Sequence, residues 1–166
     1  ISKNSENNIW HRHVLDSAQI LRFIDFDKVK SIVDLGTGAG FPGLVLAIFS
    51  GKVKFHVKLF EKSPVKRLFL ENISSKLNLN NITIYENIYN IRDILADLVV
   101  SRAFKKLPEI INISREKIKK PHKLIILKGK NAQTEINNLS LEHDYSYKLE
   151  NSLTDNDSKI IILNAK

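Results

Sequence analysis

The stretch Ser31-Ile32-Val33-Asp34-Leu35-Gly36-Thr37-Gly38-Ala39-Gly40-Phe41-Pro42-Gly43 decides the fold. Its first five residues are an apolar run broken by one acid. Three glycines spaced two apart stop it, and Leu44-Val45-Leu46-Ala47-Ile48 follows as an apolar helical pattern. That order predicts a strand, a tight turn and a helix N-terminus. Glycine tolerates positive φ and, lacking Cβ, lets another molecule approach the backbone. The helix start adds unpaired N–H groups at the positive end of its dipole. Together they suit a nucleotide-like ligand; the plainer alternative is a turn that serves only strand–helix packing.

Spacing narrows the ligand. A dinucleotide fingerprint reads G-x-G-x-x-G. Counted from Gly36, its third glycine falls on Phe41. The spacing is instead G-x-G-x-G, with Asp34 two residues ahead, which resembles the first motif of Rossmann-like methyltransferases that use S-adenosylmethionine (AdoMet). No G-x-x-x-x-G-K-[ST] occurs, so a P-loop is not indicated.

A second signal lies downstream. Phe55–Phe60 reads as a strand ending at Glu61, and Ser63-Pro64 reads as an N-cap and first-turn proline. The helix Val65–Leu77 that follows carries Val65, Leu68, Phe69, Ile73 and Leu77 on one stripe. Glu61 thus stands at the carboxyl end of a second strand, where open α/β sheets bind ligands and an acid can accept from ribose hydroxyls.

The remaining pattern alternates. Asn8–Phe23 reads as a helix with His11, Arg12, His13 and Asp16; Asn81–Tyr85, Asp97–Ser101 and Lys123–Leu127 read as strands. Leu107–Lys119 and Asn131–Leu139 read as helices, and Tyr145–Leu149 with Ile160–Leu163 as an antiparallel pair around a polar loop, Asn151–Lys159. The expected fold class is therefore α/β: a mainly parallel seven-stranded sheet with a final antiparallel strand and helices on both faces. The 166 residues fit one domain, with a helix over 8–23 and an α/β core over 31–166. The chain has no Met and begins with the polar Ile1–Asn7, which reads as a trimmed N-terminal helical part without a signal peptide.

Composition excludes several chemistries. There is no cysteine, hence no disulfide framework, cysteine-zinc site or catalytic thiol, in keeping with a reducing cytoplasm. No apolar run approaches the ~18 residues of a membrane span. His13 and Asp16 share a helix face, but a lone surface pair does not predict a metal site, and none is expected. Trp10 is expected to be a packing anchor. Net charge is +8, and the segment Ser101–Lys130, with ten Lys/Arg against two acids, carries all of it. Such a concentration points to a polyanion-binding face, with a solubilising surface as the alternative.

Four motifs in order carry a more specific likeness. They are His13-Val14-Leu15-Asp16-Ser17, Asp34 through Gly43 with its Phe-Pro-Gly extension, Ser101-Arg102-Ala103 and Leu127-Lys128-Gly129. The chain from Asn8 onward resembles the RsmG (GidB) methyltransferases. The likeness implies transfer of a methyl group from AdoMet, leaving S-adenosylhomocysteine, to N7 of a guanine in the 530 loop of 16S rRNA. It implies 16S rRNA or the small ribosomal subunit as partner, a monomer, and a cytoplasmic location without membrane association.

On matched positions, the likeness implies that Asp34, Gly36, Thr37, Gly38, Ala39 and Gly40 cradle the methionine part of AdoMet and that Phe41 and Pro42 shape the pocket. Glu61 takes the ribose, and Asn87 and Ile88 border the adenine. His13, Arg102 and Lys128 form the catalytic set facing the RNA, with Arg12, Lys105, Lys106 and Lys130 as further RNA contacts. After the third strand, where the family carries an arginine, the sequence reads Glu86-Asn87-Ile88-Tyr89-Asn90. Before the fifth, Lys120-Pro121-His122 replaces a glycine-rich turn. Guanine N7 has a free lone pair, so the work is orientation of the acceptor rather than proton removal. Arg102 suits guanine O6 or a phosphate, or a salt bridge closing the sheet end; Lys128 suits a phosphate. Competing functions are an AdoMet methyltransferase acting on another RNA, a small molecule or a protein, and a non-catalytic RNA-binding module.

Overall fold

The computed structural model describes residues 8–50, 54–139 and 145–165. The polar start at 1–7 lies outside the described residues. The strands are β1 (Ser31–Leu35), β2 (His56–Phe60), β3 (Ile82–Tyr85), β4 (Leu98–Arg102), β5 (His122–Lys128), β6 (Tyr145–Asn151) and β7 (Lys159–Ala165). They form one sheet in the order β3-β2-β1-β4-β5-β7-β6. β1 to β5 pair in parallel, and β7 runs antiparallel to both β5 and β6, so β7 alone opposes the other six. The winding reverses between β1 and β4. Their carboxyl ends therefore open a crevice at the switch point, directly after the glycine turn.

Alternate strand residues feed two cores. Val33, Val99, Leu124 and Ile126 join one; Ile32, Leu98, Val100 and Ile125 join the other. Both faces are covered, which is why these strands read as continuous apolar runs. The helical segment α1 spans 10–23, followed by α2 (Gly43–Phe49), α3 (Pro64–Lys76), α4 (Leu107–Lys117) and α5 (Ala132–Asn137). α4 and α5 cover the first face through Leu107, Ile110 and Ile136. α1, α2 and α3 cover the second through Ile20, Leu46 and Leu70. No described helix is long and apolar enough to cross a membrane.

Local signals mostly hold. Ser63 caps α3, accepting from the Lys66 N–H, with Pro64 in the first turn. His122 in place of a glycine is buried: Nδ1 donates to the Lys120 carbonyl at 2.8 Å, and Nε2 meets the Ser114 hydroxyl.

Three expectations are corrected. α1 is not one regular helix but a π-helical turn (Trp10–Leu15), an α turn (Asp16–Ala18) and a 3₁₀ turn (Gln19–Phe23). His13, Asp16 and Gln19 each bond a partner distant in sequence, and the changing pitch keeps residues three apart in reach of them. Trp10 is 76% exposed and so is not a packing anchor among the described residues. The apolar stripe of α3 is also largely outside: Val65, Leu68, Phe69 and Leu77 are exposed, while Leu70 and Ser74 are buried. α3 flanks the β3 margin of the sheet, so only a narrow side of it packs.

Candidate active site

The glycine turn is built by sterics. Gly36, Gly38 and Gly40 all have positive φ. A Cβ on Gly36 would stand 2.3 Å from Phe104, and one on Gly40 2.7 Å from Leu44. Gly43 has ordinary φ yet no room: its Cβ would meet Leu59 Cδ2 at 2.4 Å and Asp34 Oδ2 at 2.6 Å. Of these four glycines only Gly38 faces open space, with the nearest atom 4.0 Å from its notional Cβ. It lines a cavity of about 430 Å³ with Gly36, Thr37, Ala39, Phe41 and Glu61.

Asp34 is fully buried and does not line that cavity. Its Oδ2 accepts from the Gly43 N–H at 2.8 Å and so fixes the start of α2. Asp34 thus supports the turn, and Gly40 and Pro42 likewise are not among the residues that line the cavity. Burial pushes the Asp34 carboxyl up to about 6, tempered by the Thr37 hydroxyl and the Gly43 N–H. Yet Asp34 Oδ1 and Thr37 Oγ1 are buried without a completed hydrogen bond.

The raised value has a consequence for stability. The folded carboxyl keeps its proton up to about 6, whereas the unfolded one releases it near 3.8. Folding therefore takes up a proton between these values, and stability falls as pH rises through the folded value. The loss by neutral pH is on the order of 3 kcal/mol. Asp34→Asn is expected to flatten the urea-unfolding midpoint between about pH 4 and pH 7 relative to the parent chain. An unchanged pH slope would contradict this.

Glu61, at the end of β2, ties the turn to the next strand. Oε2 accepts from the Gly38 N–H at 3.0 Å and Oε1 from the Ser63 N–H at 2.8 Å. Each oxygen keeps a further lone pair for a ligand hydroxyl. Asn87 and Ile88 line the same cavity, and the Asn87 side chain accepts from the Tyr89 N–H. An arginine does stand near this segment, on α3, but it does not line the cavity. Arg67 of α3 donates to the Glu61 and Lys62 carbonyls at 3.0 and 2.7 Å and pairs with Glu86. Lys62, Lys66, Glu86 and Phe104 also line the cavity. Sequence reasoning missed them because they lie beside the motifs rather than within them.

Arg102 ends β4 at the wall between this cavity and a second of about 370 Å³. Nη1 donates to Asp16 Oδ2 at 3.2 Å and the Arg12 carbonyl at 3.1 Å; Nη2 lies 2.8 Å from His13 Nδ1. Guanidinium nitrogens only donate, so His13 Nδ1 accepts and Nε2 carries the ring hydrogen. His13 stacks on Phe41 with centroids 5.1 Å apart, and Nε2 is a third buried atom without a partner. Burial and then the Arg102 charge hold His13 below the ordinary imidazole value. Asp16 Oδ1 also accepts from Gln19 and Thr154, locking α1 to the loop between β6 and β7. The salt-bridge reading of Arg102 is thus realised.

Lys128 also lines the second cavity, but its Nζ bonds Glu135 at 2.9 Å and the Lys105 carbonyl at 2.8 Å. Glu135 in turn accepts from the Leu107 N–H and caps α4. Lys128 therefore staples β5 to α4 and α5 instead of standing free for a phosphate. The basic segment is not one face either. Lys105 pairs with Glu109, Lys117 with Glu116 and Lys120 with Asp97. Lys119, Lys120 and Lys123 lie by the start of β5, Lys128 and Lys130 at its end. Arg12, Lys106 and Lys130 remain exposed at the cavity end of the sheet. Among the described residues no group of three His, Asp or Glu could hold a metal.

Residues 1–160 match the family model GidB, rRNA small subunit methyltransferase G. Ribosomal RNA small subunit methyltransferase G of Rickettsia felis is 39% identical over 161 residues, spanning 97% of this chain and 81% of the relative. The Pelagibacter ubique protein of the same name is 34% identical, over all of this chain and 78% of its own length. Among solved structures, a SAM-dependent methyltransferase from Aquifex aeolicus superposes with a TM-score of 0.72 at 14% identity, covering 98% of this chain and 94% of its own. A Streptococcus mutans chain solved in complex with SAH gives 0.67 at 11% identity, covering 90% and 98%. At such identities these two likenesses establish the fold.

Proposed function

This chain belongs to the GidB family, rRNA small subunit methyltransferase G, and from that premise we propose that it methylates a guanine N7 of small-subunit rRNA with AdoMet as donor. The observation that carries the reading is the pairing of open backbone at Gly38 with the Glu61 carboxylate in one cavity, walled off by Arg102 and His13 from a second. The residues present fit the donor: Gly38 leaves room for it, and Thr37, which lines the cavity, keeps a buried hydroxyl with no partner among the described residues.

In this reading Gly36, Gly38 and Ala39 hold the methionine part, Glu61 the ribose hydroxyls, and Asn87 and Ile88 the adenine edge. When bound, AdoMet supplies a methyl group already activated on a sulfonium. Phe41 and His13, stacked together, shield the crossing point from water. Arg102 orients His13 and holds α1 against the sheet end. N7 needs no base, so none of these groups has to remove a proton; the chain contributes proximity and alignment. Arg12, Lys106 and Lys130 offer exposed charge to phosphates. A cytoplasmic, ribosome-associated setting follows from the substrate.

The test is label partition. The chain is incubated with methyl-tritiated AdoMet and, in parallel, purified small subunits, naked rRNA and total cell protein. Label entering small-subunit rRNA is expected. Label only in protein or small molecules, or AdoMet binding with no transfer, would reject the reading.

A further inference from the structure

The second cavity holds a carboxylate that the mechanism above does not use. Asp155 lies in the loop between β6 and β7 and lines the second cavity but not the first. Its Oδ1 accepts from the Asp157 N–H at 2.8 Å, and its carbonyl accepts from the Ser158 N–H at 3.2 Å. These bonds fold the loop around Asp155, and its Oδ2 has no hydrogen bond among the described residues. In the other carboxylate of this cavity, Asp16, both oxygens already have partners: Oδ1 accepts from Gln19 and Thr154, and Oδ2 from Arg102. The loop itself is held to α1, since the Leu153 N–H donates to Gln19 Oε1 at 2.8 Å and Gln19 Nε2 donates to Ser152. Asp155 is therefore an accessible acceptor on a fixed support.

Geometry then assigns it a partner. A purine methylated at N7 must turn its N7 edge to the wall shared by the two cavities, formed by His13, Arg102 and Ala103. Its opposite edge then faces the lining found only in the second cavity. In guanine that edge carries the N1–H and N2–H donors; in adenine it carries the N1 acceptor and no amine. Enzymes acting on an extruded base read it through such edge contacts. Resting on the guanine-N7 reading above, we infer that Asp155 accepts from N1–H and N2–H of the target guanine and makes the second cavity selective for guanine over adenine.

The test measures nucleotide binding as well as turnover. The full chain is saturated with S-adenosylhomocysteine, which blocks the first cavity, and titrated with GMP, IMP and AMP while the Ala103 and Gly129 amides are followed by NMR. GMP is expected to bind roughly tenfold or more tighter than AMP, with IMP between them because it lacks the N2 amine. Asp155→Ala is expected to level the three, and Asp155→Asn, which keeps one acceptor oxygen, to retain part of the preference. On small-subunit rRNA, Asp155→Ala should lower kcat/KM by a similar factor with AdoMet affinity unchanged. Undetectable GMP binding, equal binding of GMP and AMP, or a guanine preference that survives in Asp155→Ala would each overturn the assignment. Failure of the unsubstituted chain to label rRNA would instead defeat the underlying methyltransferase reading.

Discussion

Replacing Gly38 by valine is expected to abolish AdoMet binding, a loss of at least about 100-fold, while the chain remains folded. The Gly38 N–H that donates to Glu61 is kept in valine, so the turn retains its tie to β2. What changes is the open space: a Cβ at this position projects where no atom lies within 4 Å except the Gly36 carbonyl at the limit. Valine puts three carbons into the wall of the donor cavity. It must also adopt φ near +60°, where a Cβ costs about 1–2 kcal/mol. That cost lowers Tm by a few degrees only. Calorimetric titration with AdoMet beside a thermal melt separates the two effects. Affinity within about threefold of the parent chain, at intact fold, would remove Gly38 from the binding wall.

Five residues on, the same kind of substitution is expected to act on the fold instead. Gly43→Ala places its methyl against Leu59 Cδ2, Asp34 Oδ2 and, at 2.8 Å, Asp34 Cβ. The leucine tip can yield, but the Asp34 Cβ sits on β1 beneath the turn and cannot. Overpacking of this sort costs about 1–3 kcal/mol. Displacing Gly43 also breaks its bond to a buried carboxylate with one oxygen already unpaired, a further loss of about 1.5–3 kcal/mol. Together these approach half of a typical domain's stability. Urea unfolding should show the midpoint displaced far to lower denaturant, and a midpoint near that of the parent chain would contradict the steric account. The opposite outcomes at Gly38 and Gly43 distinguish a glycine needed by a ligand from one needed by the core.

That difference was invisible in the sequence, although the stretch containing both was the most readable part of it. Strand, turn and helix follow from local pattern, and all seven strands lie where alternation and apolar runs place them. Glu61 was legible because it ends a strand at a fixed offset from the turn. Gly43 was not, since its constraint comes from Leu59, a residue of the neighbouring strand. The ties of Arg102 reach back to residues 86 to 90 positions earlier, and the clamp on Lys128 comes from α5. Lysine content signals a polyanion partner only through charges left exposed, and ion pairs within the fold engage several of those counted. The stripe of α3 misleads for a related reason: periodicity reveals an apolar face, not whether anything covers it.

The guanine-N7 assignment is tested most directly by the chemical form of the transferred methyl group. Small-subunit rRNA labelled by this chain from methyl-tritiated AdoMet is digested to nucleosides and resolved by chromatography. The label is predicted to elute as 7-methylguanosine; elution with any other nucleoside, or label confined to ribosomal protein, would contradict it.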